Sequence, residues 1–282
     1  MPGSSLTVDL KEQVTATFSH TAPSYDAGGV AFFRPIAARL VQLATLLPGE
    51  RVLDVGCGAG ACLVQAAEMV GPGGHVTGID LSEQMLERAA AEAARRGIYN
   101  TLLRQADAED PPFPGASFDA VLASNVMFLL PHPDQAARRY LEILRPGGRF
   151  CFNWSVAGEP RWRPVLAAVD AYAPDTTGFE DFLRRPPFSS VPEVEAMLAE
   201  CGFSAVTTTT WTLETRYESP GQWWDSYWSA AARLLWQHIP VTDRPAARDA
   251  AFARLDPLRE PDGTLIRRVT FGYTIGRRAF GM

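Results

Sequence analysis

The stretch RVLDVGCGAG, residues 51–60, decides the fold. It opens on an apolar run and then places glycines at 56, 58 and 60. The run reads as a short buried strand, and the next ten residues, ACLVQAAEMV, read as a helix closed by GPGG. A strand, a glycine turn and a helix N-terminus together let a ligand approach the backbone closely, because glycine carries no side chain and the first helical N–H groups are free. Phosphate is the usual guest of such a turn. Here the spacing G-x-G-x-G differs from the G-x-G-x-x-G of dinucleotide folds, and no Lys-Ser/Thr follows as in a P-loop. Asp54 stands at the loop entry, where a carboxylate suits a cation or an ammonium group better than a phosphate.

The pattern repeats outward from this stretch. Upstream, Phe33, Ile36, Ala37, Leu40, Leu43, Ala44 and Leu47 recur at helical spacing, and Pro48-Gly49 ends that helix. Downstream, HVTGIDL is a strand, and Ser82 caps the helix EQMLERAAAEAARRG. TLLRQAD and FDAVLASN are further strands, separated by a proline-rich loop. DQAARRYLEIL is a helix, RPGG a turn and RFCFNWSV a fifth strand. Alternating strands and helices with short connections imply a parallel sheet with helices on both faces. Asp80 ends the second strand, where an acidic residue holds a ribose diol in such folds. Asp107 follows the third strand and borders the same crevice.

The chain has 282 residues, enough for one large core or a core with a substantial insertion. Its net charge of −6 argues against a nucleic-acid backbone as partner. The N-terminal residues lack a signal-peptide pattern, and no apolar run is long enough to cross a membrane, so the expectation is a cytoplasmic protein. Cys57, Cys62, Cys151 and Cys201 form no C-x-x-C pair and have no histidine cluster beside them, which implies reduced thiols and no metal site.

Five segments, VLDVGCGAG, VTGIDLSEQML, QADAEDPPFP, FDAVLASNVMFLL and ILRPGGRF, resemble in order and spacing the motifs of class I S-adenosylmethionine-dependent methyltransferases. The resemblance implies an α/β fold: a Rossmann-like, seven-stranded, mostly parallel sheet, its last strand antiparallel, with helices on both faces and a helical cap from insertions. It implies S-adenosylmethionine as cofactor and S-adenosylhomocysteine as product. By position, Asp54, Gly56, Cys57, Gly58 and Gly60 would wrap the methionine part. Asp80 would hold the ribose, Leu81 and Met85 would line the adenine, and Asp107 with the backbone of Ala108 would meet the adenine edge. Asn125 would border the sulfonium. Tyr25, in TAPSYDAGG, resembles a lid tyrosine that closes over the cofactor, and can equally be read as a packing residue.

The domain plan expected is a lid segment at 1–30, a cofactor-binding core at 31–156, a cap insertion at 157–190, a core helix and strand at 191–217, a helical cap at 218–262 and a closing strand at 263–282. Residues 1–20 are polar, either loose or a mobile first helix, and 157–190 show no clear period. PGQWWDSYWSAAARLLWQHI reads as one aromatic helix, on which Trp224, Trp228, Ala231, Leu235 and His238 share a face. That face either packs the cap onto the core or lines an acceptor pocket. Trp154, Trp224, Tyr227 and Trp228 are the substrate-side candidates. Of four histidines, His132 follows the fourth strand and is the better candidate base, and His238 on the cap is the other. The expected reaction is methylation of a hydrophobic small molecule, a secondary metabolite, on a hydroxyl. Carbon or nitrogen methylation, or a pericyclic-type step on a retained cofactor, is the alternative. SNVMFLL after the fourth strand lacks an Asn-Pro-Pro-Tyr-like signature, which disfavours amide or nucleobase nitrogen.

Overall fold

A computed structural model describes residues 3–26, 29–173, 188–229 and 232–280, and side chains from residue 10 onward. The elements in chain order are α1 (Gly3–Thr21), α2 (Phe33–Ala44), β1 (Arg51–Val55), α3 (Ala61–Val70), β2 (His75–Asp80), α4 (Glu83–Arg95), β3 (Thr101–Gln105), β4 (Phe118–Ala123), α5 (Pro133–Ile143) and β5 (Leu144–Gly158). There follow α6 (Arg163–Asp170), α7 (Val191–Glu200), β6 (Ser204–Tyr217), α8 (Pro220–Trp228), α9 (Arg233–Trp236), α10 (Arg244–Leu255) and β7 (Leu265–Arg277). The strands form a seven-stranded sheet in the order β3-β2-β1-β4-β5-β7-β6.

The chain divides into two compact units. One comprises Phe33–Val156, Pro186–Trp211 and Phe271–Met282, and the other Met1–Phe32, Ala157–Arg185 and Thr212–Thr270. The boundaries fall within β5, β6 and β7.

In the first of these units β1 pairs in parallel with β2 and β4, β2 with β3, and β4 with β5. Val52, Leu53, Asp54 and Val55 are buried without a break, so both faces of β1 are covered. That is why the parallel strands read as continuous apolar runs. Phe150 and Phe152 of β5 stack at 5.1 Å, and Tyr140 of α5 meets Phe150 edge-on at 4.9 Å. Val194 and Leu198 of α7 and Phe203 complete that side of the core. β7 runs against both neighbours. Gly147 and Gly148 exchange backbone hydrogen bonds with Arg278, while Trp154 Nε1 donates to Thr274 Oγ1 at 3.1 Å. Thr208 meets Thr274 at 3.0 Å, and Ser204 Oγ donates to the Arg277 carbonyl at 3.0 Å.

The other unit holds a separate core. Trp162, Val165 and Val169 from α6 and the turn before it pack with Trp223, Trp236, Ala247, Ala251 and Leu255. β6 shows the period-2 burial of a strand with one covered face: Leu213, Thr215 and Tyr217 are buried and the residues between them exposed.

Four sequence expectations need correction. The helix expected to reach Leu47 ends at Ala44, because Thr45 turns to φ +48°. Leu46 is then buried and Leu47 is exposed. The RPGG turn is absorbed into β5, since Gly147 and Gly148 are paired with Arg278. Within 157–190, α6 forms where no period was read. Pro164 sits in its first turn, and Val165 and Val169 bury one face. The aromatic helix expected across 220–239 breaks after Trp228 into α8 and α9, so the single face expected for it does not run through. Ala231, placed on that face, lies outside the described residues. The N-terminal segment is helical from Gly3 to Thr21.

At the N-terminal edge of β5, Arg149 is buried and pairs with Glu50 at 2.6 Å. It also donates to the carbonyls of Ala44 and Thr45, which end α2. One guanidinium thus satisfies a carboxylate and a helix C-terminus. Replacing it leaves two carbonyls without that donor and Glu50, half-buried, with only the Leu47 N–H. Arg149→Ala is expected to cost about 2–3 kcal/mol of unfolding free energy. Denaturant titration beside wild type checks this; a loss under about 1 kcal/mol would show that the cluster is solvated and of little weight.

Candidate active site

The turn after β1 is built on three glycines at positive φ: +58° at Gly56, +51° at Gly58 and +88° at Gly60. Each is constrained differently. A Cβ on Gly56 would lie 2.6 Å from Val126, and one on Gly60 would lie 3.2 Å from Ala89. A Cβ on Gly58 would meet nothing within 4 Å. Gly56 and Gly60 therefore serve close packing, and Gly58 turns its bare side to open space. The Cys57 N–H donates to the Ile79 carbonyl at 2.9 Å, which ties the turn to β2. The Cys57 side chain is buried and its thiol pKa is pushed well up by burial, so it fills space and is not a nucleophile.

Asp80 joins the turn to the next element. One carboxylate oxygen accepts from Gly58 N–H at 2.9 Å, and the other from Ser82 N–H at 2.9 Å. Burial raises its pKa while these backbone donors oppose the rise. Ser82 caps α4 as expected, its hydroxyl accepting from Met85 N–H at 3.2 Å. Met85 is buried in the first turn of α4, and Leu81 is half-buried. Beyond β3, Asp107 accepts from the Glu109 N–H at 2.8 Å. Ala108 is buried, and its carbonyl takes the Tyr140 hydroxyl at 2.6 Å.

Asp54 is wholly buried beneath the turn. Neither of its carboxylate oxygens reaches hydrogen-bond geometry with a described group, although the Cys62 thiol and the Leu63 amide at the start of α3 lie close. Burial dominates, with the nearby Asp80 adding to it, and the Asp54 pKa is raised to about 8. The site thus contains a buried acid short of donors and of counter-charge.

At the end of β4, Asn125 adopts φ +58°. Its N–H donates to Asn153 Oδ1 at 3.1 Å, and Asn153 Nδ2 donates to Asn125 Oδ1 at 2.8 Å. This reciprocal pair holds a conformation that asparagine tolerates and most residues do not. The neighbouring Val126 is the residue against which Gly56 packs. Asn153 and Tyr140 escaped the sequence reading. The signal for Asn153 was present, a lone amide in the apolar strand FCFNW.

The remaining candidates are placed as follows. His132 precedes α5 with its ring exposed, and its N–H donates to Glu109 Oε1 at 2.5 Å. His238 is half-buried and belongs to the other unit. Tyr25, also in that unit, packs edge-on against Phe18 at 6.1 Å. Trp154 is a core residue: it is buried, bonded to Thr274, and so close to Gly272 that a Cβ there would lie 2.8 Å from its ring. That packing accounts for Trp154 without a ligand. Trp224, Tyr227 and Trp228 of α8 gather around Trp236 of α9, at centroid distances of 5.0, 5.1 and 6.0 Å. The helix break lets Trp236 fold back onto them. All four cysteines are free and buried. Among the described residues no cluster of His, Cys, Asp or Glu is arranged to hold a metal ion, and no helix is long and apolar enough to cross a membrane.

Comparison with known proteins agrees with this arrangement. A methyltransferase domain family matches residues 46–172. Nocamycin O-methyltransferase of Saccharothrix syringae is 39% identical over 272 residues, covering 92% of this chain and 96% of that protein. Aklanonic acid methyltransferase of Streptomyces sp. strain C5 is 40% identical over 212 residues, covering 71% and 96%. Among solved structures, phosphoethanolamine N-methyltransferase 2 of Haemonchus contortus in complex with S-adenosyl-L-methionine shares the fold, with TM-score 0.54 and 17% identity over 86% of this chain and 52% of that one. A glycine turn after β1, an acid ending β2 and extensive similarity to these enzymes place the chain in the class I S-adenosylmethionine-dependent methyltransferases, and S-adenosylmethionine is its cofactor.

Proposed function

We propose that this methyltransferase acts on a hydroxyl oxygen of a hydrophobic small molecule, a secondary metabolite, and that the turn after β1 with Asp54 and Asp80 holds the cofactor. The single observation that carries the cofactor assignment is Asp54. A wholly buried carboxyl without hydrogen-bond partners among the described residues, under an open glycine turn, fits the ammonium group of an amino-acid tail. Gly58 leaves room for that tail. Asp80, fixed by backbone N–H groups of the turn and of α4's start, takes the ribose hydroxyls. Leu81 and Met85 flank the adenine, and the Asp107 carboxylate and Ala108 N–H meet its edge. The Asn125–Asn153 pair borders the sulfonium.

When bound, S-adenosylmethionine supplies an electrophilic methyl group. The protein's part is to align an acceptor oxygen with that group and to keep water out. A neutral hydroxyl needs its proton removed. His132 is the base we favour over His238, because it lies in the same unit as Asp80 and Asn125. The choice of oxygen is supported by the name of the nocamycin relative, which is an O-methyltransferase.

Three outcomes are expected. Asp80→Ala weakens S-adenosylhomocysteine binding at least tenfold, on the order of 1.5–3 kcal/mol; calorimetry showing unchanged affinity would remove the ribose assignment. The second concerns Asp54. Its folded-state pKa is raised from 3.8 to about 8, so its ionisation costs stability, and the ligand-free protein loses stability as pH rises from about 4 to about 8. Binding an ammonium there favours the carboxylate. Affinity should then rise with pH up to about 8, with a proton released on binding. Calorimetry at pH 7 in buffers of different ionisation enthalpy reads that proton, and Asp54→Asn abolishes it. No proton release in wild type would refute the ammonium contact. Third, with methyl-13C S-adenosylmethionine and aklanonic acid or a nocamycin precursor as trial acceptors, the labelled carbon should appear as a methoxy signal. His132→Ala should slow its appearance at least tenfold with cofactor affinity intact. An N-methyl or C-methyl signal would overturn the oxygen assignment, and an unchanged rate would exclude His132 as base.

A further inference from the structure

Within the unit that holds the cofactor turn, the parallel strands reverse their order between β1 and β4, since the sheet runs β3-β2-β1-β4-β5. Such a reversal opens a crevice at the C-terminal ends of the strands. Asp54 of β1 stands opposite Leu122 of β4, and Ala123 stands opposite Phe152 of β5. Asn125, two residues beyond Ala123, therefore leaves β4 at the same edge as the glycine turn. Its neighbour Val126 lies so close to Gly56 that a Cβ there would be 2.6 Å away.

Asn153 lies next to Phe152 on β5 and is wholly buried, so it touches no ligand. An apolar side chain would fill its place without bringing an amide that needs partners. The amide has a specific effect. A backbone N–H can only donate, so the atom of Asn153 that takes the Asn125 N–H at 3.1 Å has to be Oδ1. Asn153 Nδ2 then faces the Asn125 side chain. An NH2 group can only donate, so the atom it meets at 2.8 Å has to be Asn125 Oδ1. Two bonds thus settle which end of the Asn125 amide turns outward, and it is Nδ2. Asn125 is half-buried, and its Nδ2 keeps accessible surface and has no hydrogen-bond partner among the described residues. The same pair holds Asn125 at φ +58°. An outward N–H suits an oxygen lone pair. It does not suit a cation, which its positive end repels.

We propose that Asn153 is a positioning residue for methyl transfer, holding Asn125 so that Asn125 Nδ2 donates to the oxygen being methylated. The inference rests on the placement of the sulfonium beside Asn125 and on oxygen as the acceptor atom. In the transfer the acceptor oxygen bonds to the methyl carbon, the carbon–sulfur bond breaks with its electron pair left on sulfur, and the hydroxyl proton goes to the base. One lone pair of that oxygen accepts from Nδ2, which aims the other at the methyl carbon. Asn125 touches the acceptor, and Asn153 acts through Asn125.

The test compares S-adenosylhomocysteine with sinefungin, a cofactor analogue in which a carbon bearing a protonated amine replaces the sulfonium. Both are titrated calorimetrically into the full-length enzyme at neutral pH. An outward N–H opposes the ammonium of sinefungin, so wild type is expected to prefer S-adenosylhomocysteine. Asn125→Gly keeps the left-handed turn, which glycine adopts without strain, and removes the amide. Asn153→Leu frees the Asn125 amide to turn its oxygen outward. Each variant should shift the affinity ratio at least fivefold toward sinefungin. General damage to the fold weakens both ligands together and leaves the ratio where it was. So does loss of a bond to the amino-acid carboxylate, which both ligands carry. A wild-type preference for sinefungin, or a ratio unmoved by either variant, would overturn the proposal. If Asn153→Leu does not fold, Asn153→Ala, which removes both bonds without adding bulk, is titrated in its place. Binding of neither ligand by wild type would sink the cofactor placement itself, whereas binding of both with an unmoved ratio sinks this inference alone. Label on nitrogen or carbon in the methyl-transfer assay would sink the oxygen reading.

Discussion

The carboxylate of Asp80 accepts from Gly58 on one oxygen and from Ser82 on the other. Through that one side chain the turn after β1 is fastened to the start of α4. The turn needs such a tie because its three glycines contribute no side-chain contacts of their own and sit at φ values where most residues are strained. Gly56 and Gly60 are pinned by Val126 and Ala89, which leaves Gly58 as the open face. The open face beside Gly58 is therefore a by-product of how the turn is held.

The same economy governs the polar groups around it. β1, β4 and β5 are covered on both faces, so their main-chain groups are consumed by the ladder. The polar groups of the candidate site lie at or near strand ends: Asp54 and Asp80 in the last residues of β1 and β2, Asp107 beyond β3 and Asn125 beyond β4. Each of the last three is held by a hydrogen bond from its surroundings. Asp54 is the exception. It is buried by the turn and left short of donors, and the cost appears as a pKa raised to about 8.

The second unit departs from this pattern. Its core is aromatic, and its polar atoms are not all matched. A tryptophan brings a large apolar surface and one N–H, so five tryptophans in one unit import five donors whether or not acceptors exist. In the first unit Thr274 answers Trp154. In the second, Trp162 and Trp223 go unanswered among the described residues.

The sequence by itself determined the sheet, the glycine turn and the chain positions of Asp54, Asp80, Asp107 and Asn125, because buried parallel strands must be continuous apolar runs and the groups after them are local in sequence. It also identified the methyl donor, through five motifs in fixed order. It did not determine α6, whose apolar face is two residues wide, nor the end of α2, which rests on one residue at φ +48°. Only the tertiary structure decided the roles of Asn153, Tyr140 and Arg149, whose partners lie 28, 32 and 30 or more residues away. It likewise decided that Trp154 belongs to the core and that α8 and α9 fold around Trp236. A helical period describes one continuous helix. It carries no information about where a break returns the chain onto itself, because that is set by the aromatic surface buried after the turn is made.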